Sequence, residues 1–144
     1  MKYEWSEFEE EAKFLHGVIA DYKQYDAIVG ITRGGVFLAG MLAELSGKKE
    51  LYTIGLNSYK GHMKTKLMKL TQELHQDLVD KKILLCDDIS DSGDTLIEAK
   101  RLLEAYGNTV TTCCLHFNKD TKLKPDYFAS EAIGWVYYPW DFNN

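Results

Sequence analysis

Two adjacent carboxylates, Asp87 and Asp88, are followed by a third at Asp91 and then by the small polar turn Ser92-Gly93-Asp94-Thr95. Unpaired backbone N–H groups over this turn, together with the Ser92 and Thr95 hydroxyls and a helix dipole, make a cradle for one phosphate. Asp87 and Asp88 offer carboxylate oxygens to sugar hydroxyls or to a hard cation such as Mg²⁺. A phosphate site and a diol or metal site about one helical turn apart describe a ribose 5-phosphate. The competing reading of a bare D-x-G-x-T is an N-cap beside a solvated acidic turn, because so short a pattern recurs by chance. A second candidate is Thr32-Arg33-Gly34-Gly35. Its glycines let backbone approach a ligand closely, and Arg33 carries a planar donor fork for phosphate oxygens. On its own this stretch reads equally as a tight turn with a solvated arginine.

Both turns need strands and helices to hold them. Ile83 to Cys86 is an apolar run without alternation, which suits a strand buried on both faces of a parallel sheet. From Leu96 the period changes: Leu96, Ala99, Leu103 and Tyr106 share one helical face that Gly107 closes. The acidic turn therefore falls between the carboxyl end of a strand and the amino end of a helix, where open α/β sheets bind ligands. The Arg33 turn has the same setting, between a strand over Ala27 to Ile31 and a helix from Val36 to Ser46 that Gly47 ends. Upstream, the capping box Ser6-x-x-Glu9 starts a helix with Phe8, Ala12, Leu15, Ile19 and Tyr22 on one face. A strand over Leu51 to Asn57 runs into a lysine-rich, glycine-containing loop from Ser58 to Lys66. Leu67 to Leu70 reads as a returning strand, Thr71 to Lys82 as an irregular connection, and Thr109 to Phe117 as another strand. An aromatic tail, Gly134-Trp135-Val136-Tyr137-Tyr138-Pro139-Trp140-Asp141, completes the pattern.

With 144 residues, 45% hydrophobic and two prolines, residues 1–144 are expected to form one α/β domain with a substantial core. No apolar run reaches spanning length and the start lacks a signal-peptide core, so a cytoplasmic protein without a membrane span is expected. Cys86, Cys113 and Cys114 lie in predicted strands without a C-x-x-C pair and read as buried apolar residues, not ligands or disulfides. A net charge of −5 argues against nucleic acid as a partner.

The full stretch from Ile83 to Thr95 resembles the phosphoribosyl-pyrophosphate (PRPP) signature of the type I phosphoribosyltransferases: an apolar strand, two acids, two apolar or small residues, Asp, Ser or Thr, Gly, any residue, Thr. The resemblance extends along the chain in family order. Thr32-Arg33-Gly34-Gly35 resembles the family's pyrophosphate loop. Ser58-Tyr59 matches a pair at the start of the flexible loop of purine-specific members, and Lys119 matches a lysine that donates to the 6-oxo group of the purine in xanthine-guanine enzymes. Trp135-x-x-x-Pro139-Trp140-Asp141 is similar to the tail of the bacterial xanthine-guanine members, in which the first tryptophan stacks on the base and the next residue, here Val136, meets the base edge through its backbone. Three positions depart from the pattern: Thr32 replaces a frequent serine, Asp94 stands where Gly or Lys is common, and Tyr137 replaces an acid.

The resemblance implies an open, mostly parallel twisted sheet flanked by helices, with a small C-terminal hood for the base. It implies PRPP and a purine base as substrates, Mg²⁺ as cofactor with Asp88 as its ligand, and a homodimer or homotetramer. PRPP would meet Arg33, Gly34, Gly35, Ser58, Tyr59, Asp87, Asp88, Asp91, Ser92, Gly93, Asp94 and Thr95. Lys119, Trp135 and Val136 would bind the base, and Asp91 would act as general acid or base at its N7. The expected reaction moves ribosyl 5-phosphate to N9 of guanine, xanthine or hypoxanthine. The alternatives are a PRPP-binding regulator on the same fold, or a transferase for another base. A receiver domain would carry its acidic pair on the first strand, and a dinucleotide-binding module would need G-x-G-x-x-G, which T-R-G-G does not supply.

Overall fold

The computed structural model describes residues 1–19, 21–59 and 67–142. Its elements are α1 (Trp5–Val18), a 3₁₀ turn (Tyr22–Gln24), β1 (Ala27–Thr32), α2 (Gly35–Ser46), β2 (Leu51–Tyr59), β3 (Leu67–Gln72), β4 (Lys82–Ser90), α3 (Asp94–Glu104), β5 (Thr109–Phe117) and β6 (Tyr127–Glu131). They build a six-stranded sheet in the order β3-β2-β1-β4-β5-β6. Among the described strands only β3 runs antiparallel to its neighbour; the remaining pairs are parallel.

The apolar run in β4 explains the layering. Leu84 and Cys86 join a cluster with Leu15, Leu38 and Leu42 from α1 and α2. Ile83 and Leu85 join Val29, Ile54, Leu96 and Leu103 on the other face, under α3. Alternate side chains leave a strand in opposite directions, so a strand covered on both sides must be apolar at every position. The helix after β1 thus lies on one face and the helix after β4 on the other, while β1 and β4 are neighbours, with Gly30 opposite Cys86. Connections that diverge in this way leave a crevice beyond the carboxyl ends of the two strands. The Arg33 turn and the Asp87-Asp88 pair both sit there.

Several element boundaries differ from the sequence reading. α1 is capped by Glu4, whose side chain and that of Glu7 form the capping box, so Ser6 lies inside the helix. The negative charge of Glu4 is favoured at the positive helix end. Tyr22 falls in the separate 3₁₀ turn, and Tyr106 lies beyond α3, exposed. β2 continues through Ser58 and Tyr59, which pair with Met68 and Leu67 of β3, so this pair ends a strand instead of opening a loop. The rest of the expected loop, residues 60–66, lies outside the described residues. β6 was not anticipated. The three cysteines are buried and free.

Candidate active site

At the end of β4 the chain carries charge into a confined space. Asp87 is buried and Asp88 partly so. The Asp88 N–H donates to Asp87 Oδ1 at 2.9 Å, and the Ile89 N–H donates to Asp88 Oδ1 at 2.7 Å. The indole N–H of Trp140 donates to Asp88 Oδ2 at 3.3 Å. Burial, and then the neighbouring Asp88 charge, holds the Asp87 carboxyl well above the usual range; burial likewise raises Asp88. Such a pair is suited to a counter-cation. Its donor set fits Mg²⁺: hard carboxylate oxygens, in the small number that this ion takes from protein when phosphates supply more of its shell.

The turn after β1 closes on the same acids. The Thr32–Arg33 peptide is cis. A Cβ on Gly34 would overlap the Asp88 carboxylate, and one on Gly35 would overlap the Cys86 carbonyl. Only glycine lets the two strand ends approach this closely. Between them opens a cavity of about 420 Å³ lined by Arg33, Gly34, Asn57, Asp88, Trp140 and Asp141, among others. Trp140 is held in its wall by parallel rings on either side, Phe37 at 4.5 Å and Tyr138 at 5.0 Å between centroids.

The turn over 92–95 opens α3. Its first N–H groups lack intrahelical partners by construction, and the Asp94 N–H donates to Ser92 Oγ at 3.2 Å. Gly93 adopts φ of +91°. The loop after β5 is fastened to this turn: the Asn118 N–H donates to the Ser90 carbonyl at 3.0 Å, and the Asn118 amide donates to Asp91 Oδ1 at 3.3 Å. Asp91 and Lys119 are exposed there, one residue apart across that bond. The C-terminal segment is braced from the other end of the chain, with the Tyr3 N–H donating to the Tyr137 carbonyl at 2.9 Å and the Tyr137 N–H to the Met1 carbonyl at 2.8 Å. Trp135 is exposed and edge-on to Tyr137, and Val136 is buried. No hydrogen bond or ring contact among the described residues joins Trp135 to Asp91 or Lys119.

The structure thus groups Arg33, Gly34 and Asp88 in one cavity, and Asp91 with the loop carrying Lys119. Ser58 and Tyr59 end β2, and their side chains lie outside what is described. Sequence reasoning missed Asn118, Trp140 and Asp141 beside these residues. It also missed a buried chain behind them. The Tyr138 hydroxyl donates to the Asp88 carbonyl at 3.3 Å and bonds His116 Nδ1 at 2.8 Å, while His116 Nε2 lies 3.5 Å from Glu11. A histidine inside an apolar strand, His116, was the available signal.

Comparison with known proteins gives a consistent pattern. The phosphoribosyl transferase domain matches residues 4–143. A purine phosphoribosyltransferase from Pyrococcus horikoshii superposes with a TM-score of 0.88 at 28% identity, over 97% of this chain and 92% of that one. The xanthine-guanine-hypoxanthine phosphoribosyltransferase of Helicobacter pylori gives 0.82 at 24% identity, over 98% and 93%. A hypoxanthine phosphoribosyltransferase from Staphylococcus aureus gives 0.72 at 17% identity, over 88% and 75%. The last two are likenesses of fold.

Proposed function

The chain belongs to the phosphoribosyl transferase domain family, and from that premise we propose that it transfers the ribosyl 5-phosphate group of PRPP to N9 of a 6-oxopurine. The observation that carries this reading is the meeting of Arg33 and Asp88 in one cavity at the mouth of β1 and β4, beside the turn over 92–95. The bond from C1′ to pyrophosphate breaks as the bond from C1′ to N9 forms, and the purine loses one proton. No protein nucleophile is needed.

Each residue then has a task. The turn over 92–95 anchors the 5-phosphate, and Asp87 and Asp88 hold the ribose hydroxyls and stabilise positive charge growing at C1′. Arg33, with the backbone of Gly34 and Gly35, holds the leaving pyrophosphate. Mg²⁺ at Asp88 would neutralise the charge that collects on that leaving group. Asp91 takes or returns the N7 proton. Lys119 donates to the 6-oxo oxygen, Trp135 stacks on the ring, and the Val136 backbone meets the base edge.

The test is pyrophosphate release from PRPP and Mg²⁺ with hypoxanthine, guanine, xanthine, adenine, uracil or orotate offered in turn. Release with 6-oxopurines and rejection of adenine is expected, because a 6-amino group would face the lysine with another donor. Preference for adenine or a pyrimidine would overturn the base assignment. PRPP binding without release on any base would instead favour the regulatory reading.

A further inference from the structure

The turn that would take the phosphate carries a carboxylate of its own. Asp94 opens α3, partly buried, at a position where the resembled signature commonly has Gly or Lys. Lys122 meets it, with Nζ 2.8 Å from Asp94 Oδ1. The backbone fixes that meeting. The Lys122 N–H donates to the Ser92 carbonyl at 2.9 Å. The Ser90 hydroxyl lies 2.9 Å from Thr121 Oγ1 and donates to the Leu123 carbonyl at 2.8 Å. Gly93 is covered so closely that a Cβ there would stand 2.8 Å from Thr121 Oγ1 and 3.1 Å from the Lys122 nitrogen. Residues 121–123 are therefore a wall of the turn, and Lys122 projects from it.

The electrostatics give this pair a consequence. The N-terminus of a helix attracts an anion with about half an elementary charge. A carboxylate in the first turn opposes a phosphate dianion with a full charge at similar range, so Asp94 alone would offset that attraction. We infer that Lys122 is a specificity-determining residue of the 5-phosphate site: it cancels the Asp94 charge, so that the turn over 92–95 accepts a dianionic phosphate monoester. The competing account is a solvent-exposed ion pair, which contributes little to anything. The inference rests on the phosphoribosyl reading above and adds to it a residue from a different loop.

The test uses the full chain and ribose 5-phosphate as probe, by titration calorimetry, alongside steady-state KM for PRPP. Lys122→Ala is expected to weaken ribose 5-phosphate and raise the PRPP KM by about tenfold, the size of one lost charge-assisted contact. Pyrophosphate binding, which depends on the Arg33 side, should change by less than about twofold in the same variant, and Lys122→Arg should restore ribose 5-phosphate binding. In an Asp94→Asn background the effect of Lys122→Ala should shrink to below about twofold, since there is no charge left to cancel. Unchanged ribose 5-phosphate affinity in Lys122→Ala would overturn the inference and leave the phosphoribosyl reading intact. A full tenfold loss that persists with Asn at position 94 would overturn the charge-cancelling role. A parent protein that binds pyrophosphate but not ribose 5-phosphate would remove the phosphate assignment of the turn, and the role of Lys122 with it.

Discussion

Asp91 and Asp87 are both carboxylates near the end of one strand, yet their surroundings set them different tasks. Asp91 is exposed and accepts a side-chain amide from Asn118, so it can meet a base and exchange a proton with it. Asp91→Asn keeps an oxygen for Asn118 but cannot titrate. It should retain PRPP binding and lose about 10²–10⁴-fold in turnover, the usual contribution of a general acid or base; unchanged turnover at saturating substrates would remove Asp91 from the mechanism. Asp87 is buried against Asp88 and its carboxyl is raised. Because its folded pKa exceeds the unfolded value, the charged form is penalised only in the native state. The penalty is absent below the unfolded carboxylate range, grows as pH rises through it, and is complete above the folded pKa. Asp87→Asn keeps the bond from the Asp88 N–H and should raise the melting temperature of the Mg²⁺-free protein at neutral pH, by about 2–4 °C per kcal/mol relieved. The gain should fade toward acid pH. A lower melting temperature would show that the pair does not strain the fold.

At the scale of elements, the turns and the strands before them were legible because their signals are local. The unbroken apolar run over 83–86 marks a doubly covered strand, and the 96/99/103 spacing marks the helix after it; both were found. The start of α1 was misread because Ser6 and Glu9 imitate a capping box two residues too late, whereas Glu4 and Glu7 form it. β6 was invisible: Tyr127-Phe128-Ala129-Ser130-Glu131 has no clean alternation, and its strand state comes from pairing with β5. Trp140 and Lys122 were missed because the bonds that place them beside Asp88 and Asp94 span 52 and 28 residues. The glycines of the Arg33 turn, expected to let backbone approach a ligand, are required by close approach to the Asp88 carboxylate and the Cys86 carbonyl. Gly34→Ala makes that requirement measurable. The added methyl would meet the Asp88 carboxylate, so pyrophosphate inhibition should weaken by at least about tenfold, with far-ultraviolet circular dichroism unchanged. Inhibition at the parental level would mean that the two strand ends are not held together.

For the molecule as a whole, sheet order decides what meets what. The sequence indicates two strand–turn–helix units but not that their strands are neighbours with helices on opposite faces, since pairing across 56 residues, such as Ala27 with Ile83 or Ile28 with Leu84, has no local signal. That one adjacency brings a basic turn against an acidic pair. No helix among the described residues is long and apolar enough to cross a membrane. The central position of β1 and β4 also sets a hierarchy of lifetimes. Their amides are screened by a layer on each face and a strand on each side, so they should be released to solvent only when the chain opens globally. Deuterium uptake should therefore be slowest over 28–31 and 83–86 and faster over 133–136. Early exchange in β4 would contradict this. If the order holds, the reacting centre is bolted to the longest-lived part of the protein, while the segments that meet the base can rearrange many times before that foundation once lets go.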